Sequence, residues 1–114
     1  MKHIMNLNPR AFEMISEGRK TIEMRLNDEK RRTIREGDEI EFISTSDSCK
    51  RLNCGVIKLY RFNSFEELYK ALPLTECGYT EENISRADPA DMEKYYSKEQ
   101  QAEYGVLGIE LAVI

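Results

Sequence analysis

The chain has 114 residues, 40% of them hydrophobic and 33% charged, with a formal net charge of −4. This is room for one soluble domain with a real core. The composition excludes intrinsic disorder, no apolar run reaches the ~18 residues of a membrane helix, and an isoelectric point near 5.1 argues against a protein that grips nucleic acid by bulk charge.

Residues 4–7 alternate and predict a strand. Asn8 reads as a helix N-cap with Pro9 at the first helical position, and Phe12, Met14 and Ile15 form the buried stripe. Gly18 ends that helix. Residues 21–26 then alternate as a strand, with Ile22, Met24 and Leu26 inward and Thr21, Glu23 and Arg25 as a polar outer row. Residues 27–35 are charged and predict a loop. Residues 39–44 form a strand with Ile40 and Phe42 inward, and residues 45–48 are turn material. Residues 52–62 make a longer strand whose alternation slips, with a bulge expected at Gly55.

Ser64 and Glu67 have capping-box spacing and open a helix with Phe65, Leu68 and Leu72 on one face. Residues 74–87 read as irregular, and Asp88-Pro89 starts a short helix. Ser97 and Gln100 form a second capping box, for a helix to about residue 103. Residues 104–114 close the chain as an apolar strand. About five or six mostly antiparallel strands with short helices predict an α+β fold, a small partly closed barrel rather than a doubly wound sheet.

Three cysteines (Cys49, Cys54 and Cys77) are an odd number with no zinc-knuckle spacing, and His3 is the only histidine. Neither a disulfide framework, a metal site nor a cysteine nucleophile is expected, nor any other cofactor. Reduced thiols and the lack of an apolar leader place the expected location in the cytoplasm, and a monomer is favoured.

The stretch Gly18-Arg19-Lys20-Thr21-Ile22-Glu23-Met24-Arg25 resembles the G-x-K-x-x-E-x-R signature of the ASCH domain family. Gly37-Asp38 before an apolar strand and the closing Tyr104-Gly105-Val106-Leu107-Gly108-Ile109 are similar to further family features. The order and spacing extend over nearly the whole chain, residues 1–114 as one domain. The resemblance implies a PUA-like barrel whose helices guard a cleft, and RNA or nucleotide binding. It also implies an alternative, since one branch of the family removes acetyl groups from acetylated cytidine and other members are similar to ribonucleases. In the amidohydrolase branch a threonine nucleophile stands where this chain has Glu23.

The residue chemistry yields a matching set of candidates. Gly18 allows a positive φ and close approach of a ligand. Lys20 is a phosphate contact or, if desolvated, a general base. Glu23 is an acceptor for a base or ribose edge, or a base toward water, and Arg25 stacks on a base or forks onto phosphate. Lys20 and Glu23 are therefore the catalytic candidates if the chain is a hydrolase. Arg19, Thr21 and Arg32 extend the binding set, with Tyr104 as a stacking face. Residues 19–35 carry seven basic and three acidic side chains, and residues 66–110 carry four basic and eleven acidic ones. The overall −4 thus hides a basic segment and an acidic half, the latter a possible surface for a protein partner.

Overall fold

Asn8 caps the first helix as its sequence predicts, its side chain accepting from the Ala11 amide at 2.8 Å with Pro9 next in the chain. The computed structural model describes residues 1–114. In chain order they form β1 (Lys2–Leu7), α1 (Pro9–Ser16), β2 (Ile22–Leu26), β3 (Glu39–Ser44), β4 (Asp47–Phe62), α2 (Phe65–Ala71), α3 (Lys98–Tyr104) and β5 (Val106–Val113). Short 3-10 turns at Arg31–Thr33, Leu74–Glu76, Ile84–Arg86 and Pro89–Lys94 fill the connections.

The strands make one curled half-barrel sheet in the order β1-β3-β4-β5-β2. Only β1 and β3 run parallel. The two edge strands, β1 and β2, face each other across the open seam of the half-barrel. Ser97 and Gln100 form the reciprocal capping box of α3, whereas at α2 Ser64 accepts from the Glu67 amide without the return bond being made. The strand expected from residue 104 starts at Val106, because Tyr104 completes α3. The bulge lies at Ile57, not Gly55: the register slips between Val56 and Lys58 and leaves Ile57 51% exposed, while Gly55 pairs regularly on both sides.

Apolar side chains collect on both faces of the sheet. Leu107, Ile109 and Leu111 of β5 join Met5, Ile15, Ile40 and Phe42 in one cluster. Ile22 and Met24 of β2 join Phe65, Leu68, Met92 and Val106 in the other. Phe65 and Leu68 are fully buried, each stabilising the fold by roughly 1.5–3 kcal/mol. Strand β2 is therefore covered on both sides, and this corrects the expected polar outer row. Glu23 pairs with Ile109 and Arg25 with Leu107, so both side chains share the inner face with core residues of β5.

Candidate functional site

Gly18 turns the chain in the left-handed region at φ 78°, just past α1. The turn lets the Arg19 and Lys20 amides both close on the Met14 carbonyl, at 2.9 and 3.1 Å. Lys20 is thereby tucked back toward the seam, although simple alternation places it opposite Glu23. A Cβ on Gly18 meets nothing within 4 Å, so within the protein it is the positive φ of the turn, not packing, that calls for glycine here. Gly78 plays the packing role instead: at φ 113° it lies flat on the Lys20 stem, where a Cβ would sit 3.4 Å from Cδ.

Lys20, Glu23 and Arg25 meet as a buried ion triad. Lys20 Nζ lies 2.7 Å from Glu23 Oε1, and Arg25 Nε lies 2.7 Å from Glu23 Oε2. Arg25 Nη2 also donates to the Asn6 carbonyl at 2.6 Å, crossing the seam from β2 to β1. The three side chains are 10%, 6% and 13% exposed. Burial pushes the Glu23 carboxyl up, but the charges of Lys20 and Arg25 and their hydrogen bonds outweigh it and hold it at about 2. Burial disfavours the charged Arg25 guanidinium, and the Glu23 carboxylate more than restores it. Glu23 stays ionised, with each oxygen facing a cation, so it is not a proton acceptor near neutral pH.

The triad floors a cleft of about 490 Å³ beneath α1 and the long segment after α2. That segment supplies a hydrogen-bonded wall. Tyr79 donates to Asp91 Oδ2 at 2.7 Å, and its oxygen lies 2.7 Å from the Tyr69 hydroxyl. A hydroxyl has one proton, so Tyr69 must donate to Tyr79. Burial, followed by these hydrogen bonds, raises the Tyr79 pKa strongly, and burial raises that of Tyr69, so both hydroxyls keep their protons. Asn83, Tyr95, Tyr96 and Arg10 complete the mouth. Cys77 lines the cleft with its thiol pushed by burial up to about 11, too high for a thiolate nucleophile at neutral pH.

The remaining candidates lie outside this cleft. Arg19 pairs with Glu17 at 2.8 Å on the surface, and the Thr21 hydroxyl donates to Glu76 at 3.1 Å. Arg32 stacks on Tyr104, 5.8 Å from its ring centroid, and Tyr104 lines a separate groove. The basic segment is accordingly not one open patch: Lys20 and Arg25 are internal, and Arg31 pairs with Asp28 at 2.6 Å. Tyr69, Tyr79, Asn83 and Asp91 are cleft residues that sequence reasoning did not single out in this role. The Tyr79 and Asp91 positions lie in irregular or 3-10 chain, where no periodicity marks a face.

The sequence profile of the ASCH domain matches residues 5–114. No curated protein matches the chain in sequence. Among solved structures, the hypothetical protein PH0355 is 32% identical with a TM-score of 0.80, each chain covered over 100% of its length. Protein PF0455 from Pyrococcus furiosus is 31% identical with a TM-score of 0.76, covering 100% of this chain and 98% of that one. An ASCH protein from Zymomonas mobilis shares the fold at 15% identity and a TM-score of 0.65, over 97% of this chain and 66% of that one. Neither the expected fold nor the resemblance needs revision: this chain belongs to the ASCH domain family, a family of PUA-like, RNA-binding-type domains.

Proposed function

We propose that the chain binds single-stranded RNA, or a modified nucleoside within it, in the cleft floored by Lys20, Glu23 and Arg25. The observation that carries this reading is a surplus of donors on the cleft floor. Arginine has five N–H groups and lysine three. Glu23 and the Asn6 carbonyl engage Nε and Nη2 of Arg25, Tyr96 also acts on that guanidinium, and Lys20 makes a single ion pair, while both oxygens of the one carboxylate between them are used. A net positive cluster with spare donors calls for a ligand rich in acceptors, as a phosphate, ribose or base carbonyl is. The volume suits a single nucleoside, and the exposed Tyr95 suits stacking, whereas Tyr96 already stacks on Phe65.

The test is binding of short single-stranded RNA against ionic strength. Affinity should fall as salt rises, and it should be lost in Lys20→Ala combined with Arg25→Ala. Arg10→Ala at the mouth should weaken binding without touching the triad. A salt-independent affinity, or full binding by the double variant, overturns the reading. Hydrolysis of an acylated nucleoside has less support, because Glu23 is occupied by two cations and no hydroxyl takes the place of the branch's threonine. Product release that disappears in Glu23→Gln is the result that would favour it.

A further inference from the structure

Tyr104, whose ring Arg32 covers, lines a second groove, of about 360 Å³, at the other end of β2. Asn27, Arg61, Asn63, Glu67, Glu103 and Tyr104 line it. Arg32 is fixed above the Tyr104 ring by two carbonyls: Nε donates to that of Asn27 at 2.9 Å and Nη2 to that of Tyr104 at 3.3 Å. The result is a flat aromatic ring held in place beside a cation. Arg61 stands exposed in the same groove. The Asn27 side-chain oxygen is buried without a hydrogen-bond partner, an uncommon state for a polar atom in a folded domain.

We propose that this groove holds a second nucleotide of the strand whose first nucleotide occupies the cleft. The inference rests on the RNA-binding reading above and adds a site to it. Each part has a use in that role. The Tyr104 ring offers a face to a base, which stacking accepts whatever the base. Arg61 offers a charge to a phosphate. The amides of Asn27 and Asn63 and the carboxylates of Glu67 and Glu103 offer acceptors and donors to a base edge. Those two carboxylates also disfavour a groove that simply tracks backbone phosphates, so the chemistry points to an unpaired base rather than to a duplex. Spacing agrees: Glu23 and Asn27 are four residues apart on an extended strand, about 13 Å. A few stacked nucleotides at roughly 3.4 Å each reach that far.

The experiment compares a mononucleotide, a trimer and a hexamer of single-stranded RNA on the intact chain. The hexamer should bind more tightly than the mononucleotide. Arg61→Glu and Tyr104→Leu, each checked by thermal melting, should lower hexamer affinity by about tenfold and leave mononucleotide affinity unchanged. Photocrosslinking of a hexamer carrying a reactive uracil should reach Tyr104 in the wild type, a readout that needs no variant to fold. Mononucleotide binding that gains nothing with length, or variants that weaken both ligands equally, overturns the second site and leaves the cleft standing. Failure of the wild type to bind RNA of any length overturns both.

Discussion

The molecule contains the same charge arrangement twice, a glutamate between a lysine and an arginine. Glu23 sits between Lys20 and Arg25 in the seam, and Glu41 sits between Lys2 and Arg51 on the other face of the sheet. The partners make the difference: Lys20 and Arg25 are 10% and 13% exposed, Lys2 and Arg51 49% and 54%. The Glu41 carboxyl is lowered chiefly by hydrogen bonds from Lys2 and Arg51, whose charges water still screens. In the seam the ions have been taken out of water, at a cost their mutual attraction only roughly offsets. A surface triad is compatible with any function. A buried one that shares the inner face with core residues of β5 points to a ligand that uses it.

The largest effect that separates the two triads is removal of the central charge. Glu23→Gln should destabilise the fold by about 3–5 kcal/mol in urea titrations, since it strands two buried cations. Glu41→Gln should leave the midpoint within error, its partners turning to solvent. Equal losses in both variants mean that burial is not what distinguishes them.

Replacing the whole buried set is the sharper comparison. Lys20→Met, Glu23→Leu and Arg25→Met together remove the charges without leaving one unpaired. Such exchanges are often neutral, or stabilising by about 1–4 kcal/mol. The triple variant should therefore regain the stability lost in Glu23→Gln while losing RNA binding. A triple variant as unstable as Glu23→Gln would mean that the triad chiefly closes the seam, through the Arg25 bond to the Asn6 carbonyl.

Acid separates the triads next. The Glu23 carboxyl lies at about 2 in the fold against an ordinary 4.5, so the unfolded chain binds more protons between those values. Its contribution is complete above about pH 4.5 and is lost as pH falls toward 2. Asp38 adds a loss in the same direction from 3.8 downward, its carboxyl held at about 2 mainly by the His3 hydrogen bond and then by the Arg35 amide. In acid titrations followed by circular dichroism, Glu23→Gln should flatten the upper part of the profile and Asp38→Asn the lower, with Glu41→Gln close to wild type.

How much of this was legible in the sequence follows from the range of each signal. Caps are local, so Asn8-Pro9 and Ser97-Gln100 mark α1 and α3 directly. The signature from Gly18 to Arg25 marks the family and the three residues of the triad. Alternation states that Glu23 and Arg25 share a face, yet not which face is covered. That depends on β5 lying beside β2, a contact between residues more than 80 positions apart, such as Glu23 and Ile109. Arg32 and Tyr104 are likewise 72 residues apart, and their meeting has no local trace. Tyr79 and Asp91 reach the cleft from a stretch without a repeating period.

The smallest effect is that of salt on stability, and it tests whether burial or mere proximity sets the strength of each triad. At about 1 M salt the screening length falls to about 3 Å, comparable to the separations in both triads. Screening requires ions to come around the charges, which is open to Lys2 and Arg51 on all sides and to Lys20 and Arg25 only through the cleft. Any stability difference between wild type and Arg51→Ala at low salt should therefore vanish at high salt. The difference between wild type and Glu23→Gln should shrink much less, because Glu23 bridges two cations at 2.7 Å with only 6% of its side chain exposed. If high salt erased both differences, burial would not set the strength of either triad, and ions would act on the seam through the cleft as readily as on Lys2 and Arg51.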